Sequence, residues 1–475
     1  MNPFKLGKTV LLLLTLSACA VGPDYQRPAL DMPERFKEGW APATEQPLPG
    51  PWWSVFGDAT LDALEAKVAS SNLSPRASFY SYQQAQALSD AARAAASPTL
   101  GATVSSTRAS STNVQTATGI GTTTTVSGKT VAMTASWAPD FWGKVQRQVE
   151  ASQAASEASR ETLRSAQLSL QATLAQDYFL IRQLDSQTRL ADETRAAYEK
   201  ALKITQNRYA AGVATQGDVA LAEGQLAGAK VQQVAFGVQR AQLEHAIAVI
   251  VGESPSTFVL APQPGMPEPV AIPAGLPSQL LLRRPDLHAA ERQVASMNAQ
   301  IGVAQSAYFP TLTLSGQRGW RSPMFTNLIS APNLFWSMGP SLAETIIDGG
   351  ARSAQVAQSR AGYQGAVAQY RQLGLQALQQ VEDQLAAGSI LAGEAVLQKQ
   401  AVAAADKSLK IAMDQYKAGT VSFLNVITAQ TAAYNARNAS LLISGQRHSA
   451  NVALIQAIGG GWGEKAELGA EVTPP

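Results

Sequence analysis

The chain's single cysteine, Cys19, follows Leu16-Ser17-Ala18. Before it come a short basic region (Lys5, Lys8) and an apolar run from Val10 to Leu14. That order is the pattern of a bacterial lipoprotein signal. Small residues at 17 and 18 fit a peptidase groove, and the Cys19 thiol is acylated before it becomes the new amino terminus. Ala20 follows, and the absence of an Asp there fits sorting to the outer membrane. With one cysteine no intrachain disulfide is possible. Other reactive side chains are sparse. The histidines are His245, His288 and His448. His288 and Glu291 share a helical face, but two ligands without a third make no metal centre. Gly459-Gly460-Gly461-Trp462 lacks the Lys-Ser/Thr context of a phosphate loop and reads as a helix terminator. No enzyme activity, metal or cofactor is expected beyond the lipid on Cys19.

The elements that carry these residues are dominated by helix. Of 475 residues, 45% are hydrophobic and only 15% charged, a balance that favours long helices packed through small side chains. With 37 basic against 35 acidic residues, bulk charge gives no pull toward nucleic acid. After the first twenty residues no apolar run reaches the roughly 18 needed for a spanning helix, so any membrane crossing must use strands.

An internal duplication recurs at about 210 residues. Tyr209-Ala-Ala-Gly212-Val-Ala-Thr-Gln-Gly-Asp218-Val219 is echoed by Tyr416-Lys-Ala-Gly419-Thr-Val-Ser-Phe-Leu-Asn425-Val426, and Pro98-Thr99-Leu100 by Pro310-Thr311-Leu312. Phe141-Trp142-Gly143-Lys144 has a looser counterpart in Ile347-Asp348-Gly349-Gly350. Each half reads as helix, strand pair, very long helix, tight turn, long helix. The expected division is a signal over 1–18, a lipidated extended segment over 19–71, a first repeat over 72–252, a Pro-rich linker over 253–277, a second repeat over 278–460 and a tail over 461–475. In the first repeat, alternation predicts strands over 99–107 and 125–137 with one apolar face each, joined by a loop near Asn113. Helices are expected over 143–211 and 217–251, the first of them roughly 100 Å long. The second repeat predicts strands over 311–320 and 334–343, joined near Asn327, and helices over 350–417 and 423–458. Leu163, Leu170, Leu174, Ile181 and Leu184 recur at helical spacing, so the first long helix needs neighbours along its length.

Four strands cannot close a transmembrane barrel, which needs about eight or more. An open sheet would leave unpaired amides in lipid at several kcal/mol each. Copies of the chain are therefore expected to share one barrel, with the long helices enclosing a wet lumen across the periplasm.

Three separated motifs then carry a family resemblance over essentially the whole chain. They are Cys19-Ala-Val-Gly-Pro23-Asp24-Tyr25-Gln-Arg27-Pro28, Trp52-Trp53-Ser-Val-Phe-Gly57-Asp58-Ala-Thr-Leu61, and Leu281-Leu-Arg283-Arg284-Pro285-Asp286-Leu-His-Ala-Ala-Glu291. The chain resembles the outer-membrane factors, the lipoprotein exit ducts of tripartite resistance-nodulation-division efflux pumps. Arg283, Arg284 and Asp286 are read as structural, with Pro285 opening a helix. The resemblance implies a homotrimer with a 12-stranded barrel and a 12-helix periplasmic α-barrel. It implies an outer-membrane location with the lipid of Cys19 as anchor, and an adaptor (membrane fusion) protein and an inner-membrane pump as partners. The tunnel would narrow where Gly212, Val213, Gly419 and Thr420 turn the helix pairs and dock the adaptor. Related proteins often carry acids at the positions of Asn425 and Thr428, and these are neutral here. Leu424 matches an apolar gate residue, and Val421 falls where some members have a latching arginine. A gate of Leu424, supported by a Tyr416–Asp218 hydrogen bond, is expected, with Asp218 as a plain helix cap the other possibility. Without the acidic ring, multivalent cations should block it weakly. Alternative readings are a duct for type I protein secretion, a non-conducting structural lipoprotein with a coiled-coil stalk, and an outer-membrane enzyme.

Overall fold

The computed structural model describes residues 20–33, 36–38, 51–114, 121–263, 265–270, 281 and 283–460. The signal, Cys19, the tail over 461–475 and part of the Pro-rich linker lie outside the described residues.

A 3-10 turn, Trp52–Phe56, precedes helix α1, Ala59–Ser71. The segment over 19–71 is thus not extended throughout. Asp58 accepts hydrogen bonds from the amides of Thr60 and Leu61, which caps α1. Leu61, Leu64 and Val68 then bury one face of it. Helix α2 (Leu73–Ala94) leads to β1 (Thr99–Val114) and β2 (Gly121–Trp137). Both strands outrun their expected ends at 107 and 125, and Asn113 pairs with Thr122 where a loop was expected. The Thr/Ser-rich stretch pairs residue for residue, since β-branched Thr suits a pleated surface as well as a turn.

Helix α3 (Lys144–Ala210) and α4 (Gln216–Ile250) complete the first half. The second half repeats the order: α5 (Pro285–Gln305), β3 (Thr311–Ser322), β4 (Leu334–Ala343), α6 (Ala351–Lys417) and α7 (Phe423–Ala457). The duplication is metrical. Helices α3 and α6 both have 67 residues, and α4 and α7 both have 35. Lys144 and Ala351, Ala210 and Lys417, Gln216 and Phe423, Ile250 and Ala457 are each 207 residues apart.

The chain divides into two compact units. One gathers residues 1–29, 81–159 and 289–370 and holds the sheet, a four-stranded antiparallel array in the order β1-β2-β3-β4. The two hairpins are joined because β2 pairs with β3, from Trp137 opposite Leu314 to Lys129 opposite Ser322. Register runs unbroken along all three ladders, so alternate residues keep to one face. One face collects Leu100, Val104, Met133, Trp137, Leu314, Trp320, Trp336, Met338 and Leu342, and the other collects mainly Thr, Ser, Gly and Gln.

The second unit gathers residues 30–80, 160–288 and 371–475. Its core packs Leu61 and Val68 of α1 against Leu174, Phe179 and Ile181 of α3, Ile247 of α4 and Ile455 of α7. Each such side chain contributes roughly 1.5–3 kcal/mol by leaving water. The extended linker is held down by side chains: Arg240 donates to the Leu260 carbonyl at 2.6 Å, and Asn451 to that of Val270 at 2.7 Å. Among the described residues no helix is long and apolar enough to cross a membrane.

Candidate functional site

The turns between the paired long helices are built alike. Gly212 (φ +75°) and Gly419 (φ +78°) each take the left-handed conformation that ends a helix. The Val213 amide donates to the Arg208 carbonyl at 2.9 Å, and the Thr420 amide to that of Gln415 at 3.0 Å. The inner bonds, Gly212 to Tyr209 and Gly419 to Tyr416, complete a Schellman motif in both halves. Val213 is 62% exposed, and Gly212, Gly419 and Thr420 are exposed beside these bonds.

The helices beyond the turns start differently. Thr215 and Asp218 form a capping box at α4: the Thr215 amide and hydroxyl both reach Asp218 Oδ2 at 2.9 Å, while Thr215 Oγ1 accepts the Asp218 amide at 3.1 Å. Ser422 of α7 makes no such side-chain cap.

Tyr416 and Asp218 do not meet. Tyr416 is buried, and its hydroxyl lies 3.2 Å from Thr205 Oγ1. Thr205 gives its own proton to the Ala201 carbonyl at 3.0 Å, so Tyr416 is the donor to Thr205. The Tyr416–Asp218 latch is thereby corrected: Asp218 uses Oδ2 for a local cap, and Tyr416 turns inward to α3. The Tyr416 ring sits 5.3 Å from that of Phe423, within an apolar cluster with Ala201, Ala222, Val426 and Ile427.

A cation does hold this knot, and it comes from α3. Arg208 stacks over the Tyr416 ring at 4.7 Å and donates to the Tyr416 carbonyl at 3.0 Å and the Lys417 carbonyl at 3.4 Å. It thus ties the end of α3 to the last turn of α6, where free carbonyls attract a cation. Val421 packs against the apolar cluster. Sequence reasoning passed over Arg208. Its one signal was a break in the duplication, since Gln415 stands at the matching place before Tyr416.

Leu424, Asn425 and Thr428 share the exposed face of α7, opposite Phe423, Val426, Ile427 and Gln430. Leu424 is 58% exposed, and Thr428 donates to its carbonyl at 3.0 Å.

Cys19 is outside the described residues, but the chain beside it is placed. The Val21 amide donates to the Trp142 carbonyl at 3.1 Å, and Arg147 binds the carbonyls of Val21 and Gly22 and pairs with Asp24 at 2.8 Å. Trp142 in turn donates to the Pro310 carbonyl at 2.8 Å and stacks on Phe309. Val21 and Gly22 therefore lie where β2 gives way to α3 and where β3 begins. Tyr25 donates to Glu291. Burial alone would raise the Glu291 carboxyl, but hydrogen bonds from Arg292 and Tyr25 hold it below its ordinary value.

Within the Arg283-Arg284-Pro285-Asp286 motif, Arg284 and Asp286 hold the fold together, Pro285 opens α5, and Arg283 is exposed. Arg284 is buried, grips Asp286 through both carboxylate oxygens and donates to the Ala457 carbonyl at 2.7 Å near the end of α7. His448 stacks on Phe179 at 4.3 Å, and burial lowers its pKa. Among the described residues no cluster of His, Cys, Asp and Glu could hold a metal.

The sequence pattern of the outer membrane efflux protein family matches residues 67–253 and again 276–460, one match per repeat. The chain belongs to that family. Among its relatives, outer membrane protein OprJ of Pseudomonas aeruginosa is 29% identical over 466 residues, covering 97% of this chain and 96% of OprJ. The solved outer-membrane channel OprN superposes with a TM-score of 0.87 at 27% identity, over 94% of this chain and all of that one. A solved structure of CusC gives 0.84 at 26% identity, over 93% and 100%. The chain is accordingly an outer-membrane protein, mainly α with a membrane sheet, in a family of channel proteins.

Proposed function

We propose that three copies of this chain form the exit duct of a tripartite efflux system, passively carrying small molecules from a periplasmic adaptor and an inner-membrane pump to the exterior. The observation that carries this reading is the open four-stranded sheet with one apolar and one polar face. Strands β1 and β4 are unpaired edges, and lipid offers their amides no partner. Since the four strands alternate in direction, β4 of one copy meets β1 of the next antiparallel, and a ring closes without a mismatched seam. The apolar face then meets lipid and the Thr/Ser face lines water. Val231, Val234 and Val238 of α4 are exposed at helical spacing, with Leu375, Ile390 and Leu397 on α6, and these need helices from neighbouring copies. Val21 is bonded to Trp142 beside the strand ends opposite the hairpin loops, so a lipid on Cys19, two residues earlier in the chain, would enter the same membrane.

The pure protein should migrate as a trimer in mild detergent and give discrete ion conductance in a planar bilayer. A stable monomer, or a trimer without conductance, would end the reading.

In this duct Leu424, Asn425 and Thr428 form the narrow ring, and the turns at Gly212, Val213, Gly419 and Thr420 meet the adaptor. The ring's width is held by the Arg208–Tyr416–Thr205 knot and not by Asp218. Arg208→Ala should therefore raise single-channel conductance and admit larger antibiotics. Asp218→Ala should cost about 1 kcal/mol of helix capping and leave conductance as it was. The opposite ranking of the two variants would restore the Asp218 latch.

A further inference from the structure

The sheet's charges are all of one sign and all at one end. Residues 99–137 and 311–343 contain four cations, Arg108, Lys129, Arg318 and Arg321, and no Asp or Glu. The nearest acids, Asp140 and Glu344, follow β2 and β4 at the end away from the hairpin loops.

Three of the four cations stand on the apolar face. Arg318 is opposite Met133 on one side and Trp336 on the other. On the next rung of that face, Val131, Trp320 and Leu334 line up, then Ser106, Lys129 and Ser322, and then Arg108 with Ser127. The three cations thus climb in steps at the loop end of the apolar band. From Leu312 to Trp320 that band is about 20 Å tall for strands tilted some 40°. Arg318 is just inside its upper edge, where a long side chain can carry its charge outward, and Lys129 and Arg108 are above it.

These cations have no anion of their own. Among the described residues neither Arg108 nor Arg318 has an ion pair or a hydrogen-bond partner, and both are exposed. Lys129 donates to the neutral Ser106 hydroxyl and lies 4.9 Å from the centre of the Phe325 ring. Met324, Phe325 and Ile329 of the following loop are themselves exposed apolar residues. Cations among exposed aromatic and apolar side chains at the edge of an apolar band have the composition of a membrane–water interface. Arg321 is on the other face, over the Phe335 ring at 4.9 Å.

We propose that Arg108, Lys129 and Arg318 form a collar that binds the phosphate groups of an outer-leaflet lipid, the phosphorylated lipid A headgroup. The collar faces hydrocarbon and lipid headgroups, so a lipid is the anion within reach. It lies at the loop end, away from Ala20 and the starts of the long helices, which selects the outer leaflet. Guanidinium and ammonium groups supply the donors a phosphate needs, and no carboxylate competes. The inference rests on the barrel reading, because that reading turns the apolar face toward lipid.

The test titrates the full-length protein in mild detergent with diphosphorylated lipid A and, separately, with its dephosphorylated form. Binding is read by native mass spectrometry and by the thermal midpoint. The parent should bind the phosphorylated lipid and gain thermal stability from it, and the dephosphorylated lipid should do neither. The combined Arg108→Gln, Lys129→Gln, Arg318→Gln variant should bind about a hundredfold more weakly, from roughly fivefold for each cation at an anionic surface. Arg321→Gln, on the opposite face, should bind as the parent does. Equal binding of the two lipids by the parent overturns the collar, and this arm decides even if the triple variant does not fold. Unchanged binding in the triple variant, or an equal loss in Arg321→Gln, overturns it as well. Conductance of the same preparation separates the two readings: lipid binding without conductance strikes the duct and leaves the collar standing.

Discussion

Replacing Asp58 by Ala is expected to lower folding stability by about 3–5 kcal/mol, a range typical of a buried charge stripped of its partner. Asp58 does two things at once. Its Oδ1 accepts the amides of Thr60 and Leu61, at 3.0 and 3.2 Å, and opens α1. Its Oδ2 accepts the Tyr178 hydroxyl and Arg182 Nη1, both at 2.7 Å, and so pins that end of α1 to the middle of α3. Arg182 and Asp58 are 9% and 13% exposed, so solvent does little to replace the lost anion. Burial, followed by the bond to Asp58, pushes Tyr178 up to about 12 and keeps it a donor at ordinary pH. Asp58→Asn keeps an oxygen for the cap and removes the charge, so it should fall between parent and Asp58→Ala. Urea or thermal midpoints by circular dichroism would measure the series. A midpoint for Asp58→Ala corresponding to less than about 1 kcal/mol would show that Gly265, whose carbonyl takes Arg182 Nη2 at 2.9 Å, suffices to hold the cation.

The second large effect is a gain. Glu65, about two turns further along α1, is fully buried, and neither carboxyl oxygen has a hydrogen-bond partner among the described residues. Burial, then repulsion from Asp62, raises its pKa from 4.5 to about 9. The sign follows from linkage: a raised folded value means that the folded protein holds a proton that the unfolded chain releases. Glu65 is therefore least costly below about pH 4.5 and increasingly costly as pH rises toward 9. Glu65→Gln mimics the protonated form at every pH. It should be more stable than the parent at pH 8 by a few kcal/mol, on the order of 1.4 for each pH step above the ordinary carboxyl value. The advantage should shrink to nothing near pH 4.5. Thermal midpoints of both proteins from pH 4.5 to 9 would check this, and a pH-independent difference would mean that Glu65 is ionised and paired in the native state.

The two residues mark what can be read along a chain. The Gly212 and Gly419 turns, the long helical runs that end at them, and the alternating strands were legible because each depends on backbone geometry within a few residues. The capping box of Thr215 and Asp218 is local too, and its Thr-x-x-Asp spacing carried the right assignment of Asp218 better than the latch did. The strand ends were less legible, since Thr serves both sheet and loop and only pairing with a neighbour decides.

Sequence by itself determined the duplicated order of elements, the helix stops, the two faces of each strand, and the insufficiency of one sheet for a closed barrel. Tertiary structure alone decided that Arg208 grips Tyr416, that Asp58 meets Arg182, that Glu65 is sealed without a partner, and that three cations align on one face. The reason is range. Helix caps and strand parity are set by bonds between near neighbours, whereas Arg208 and Tyr416 are 208 residues apart and Asp58 and Arg182 are 124 apart. Contacts at that separation exist only after packing has brought the segments together.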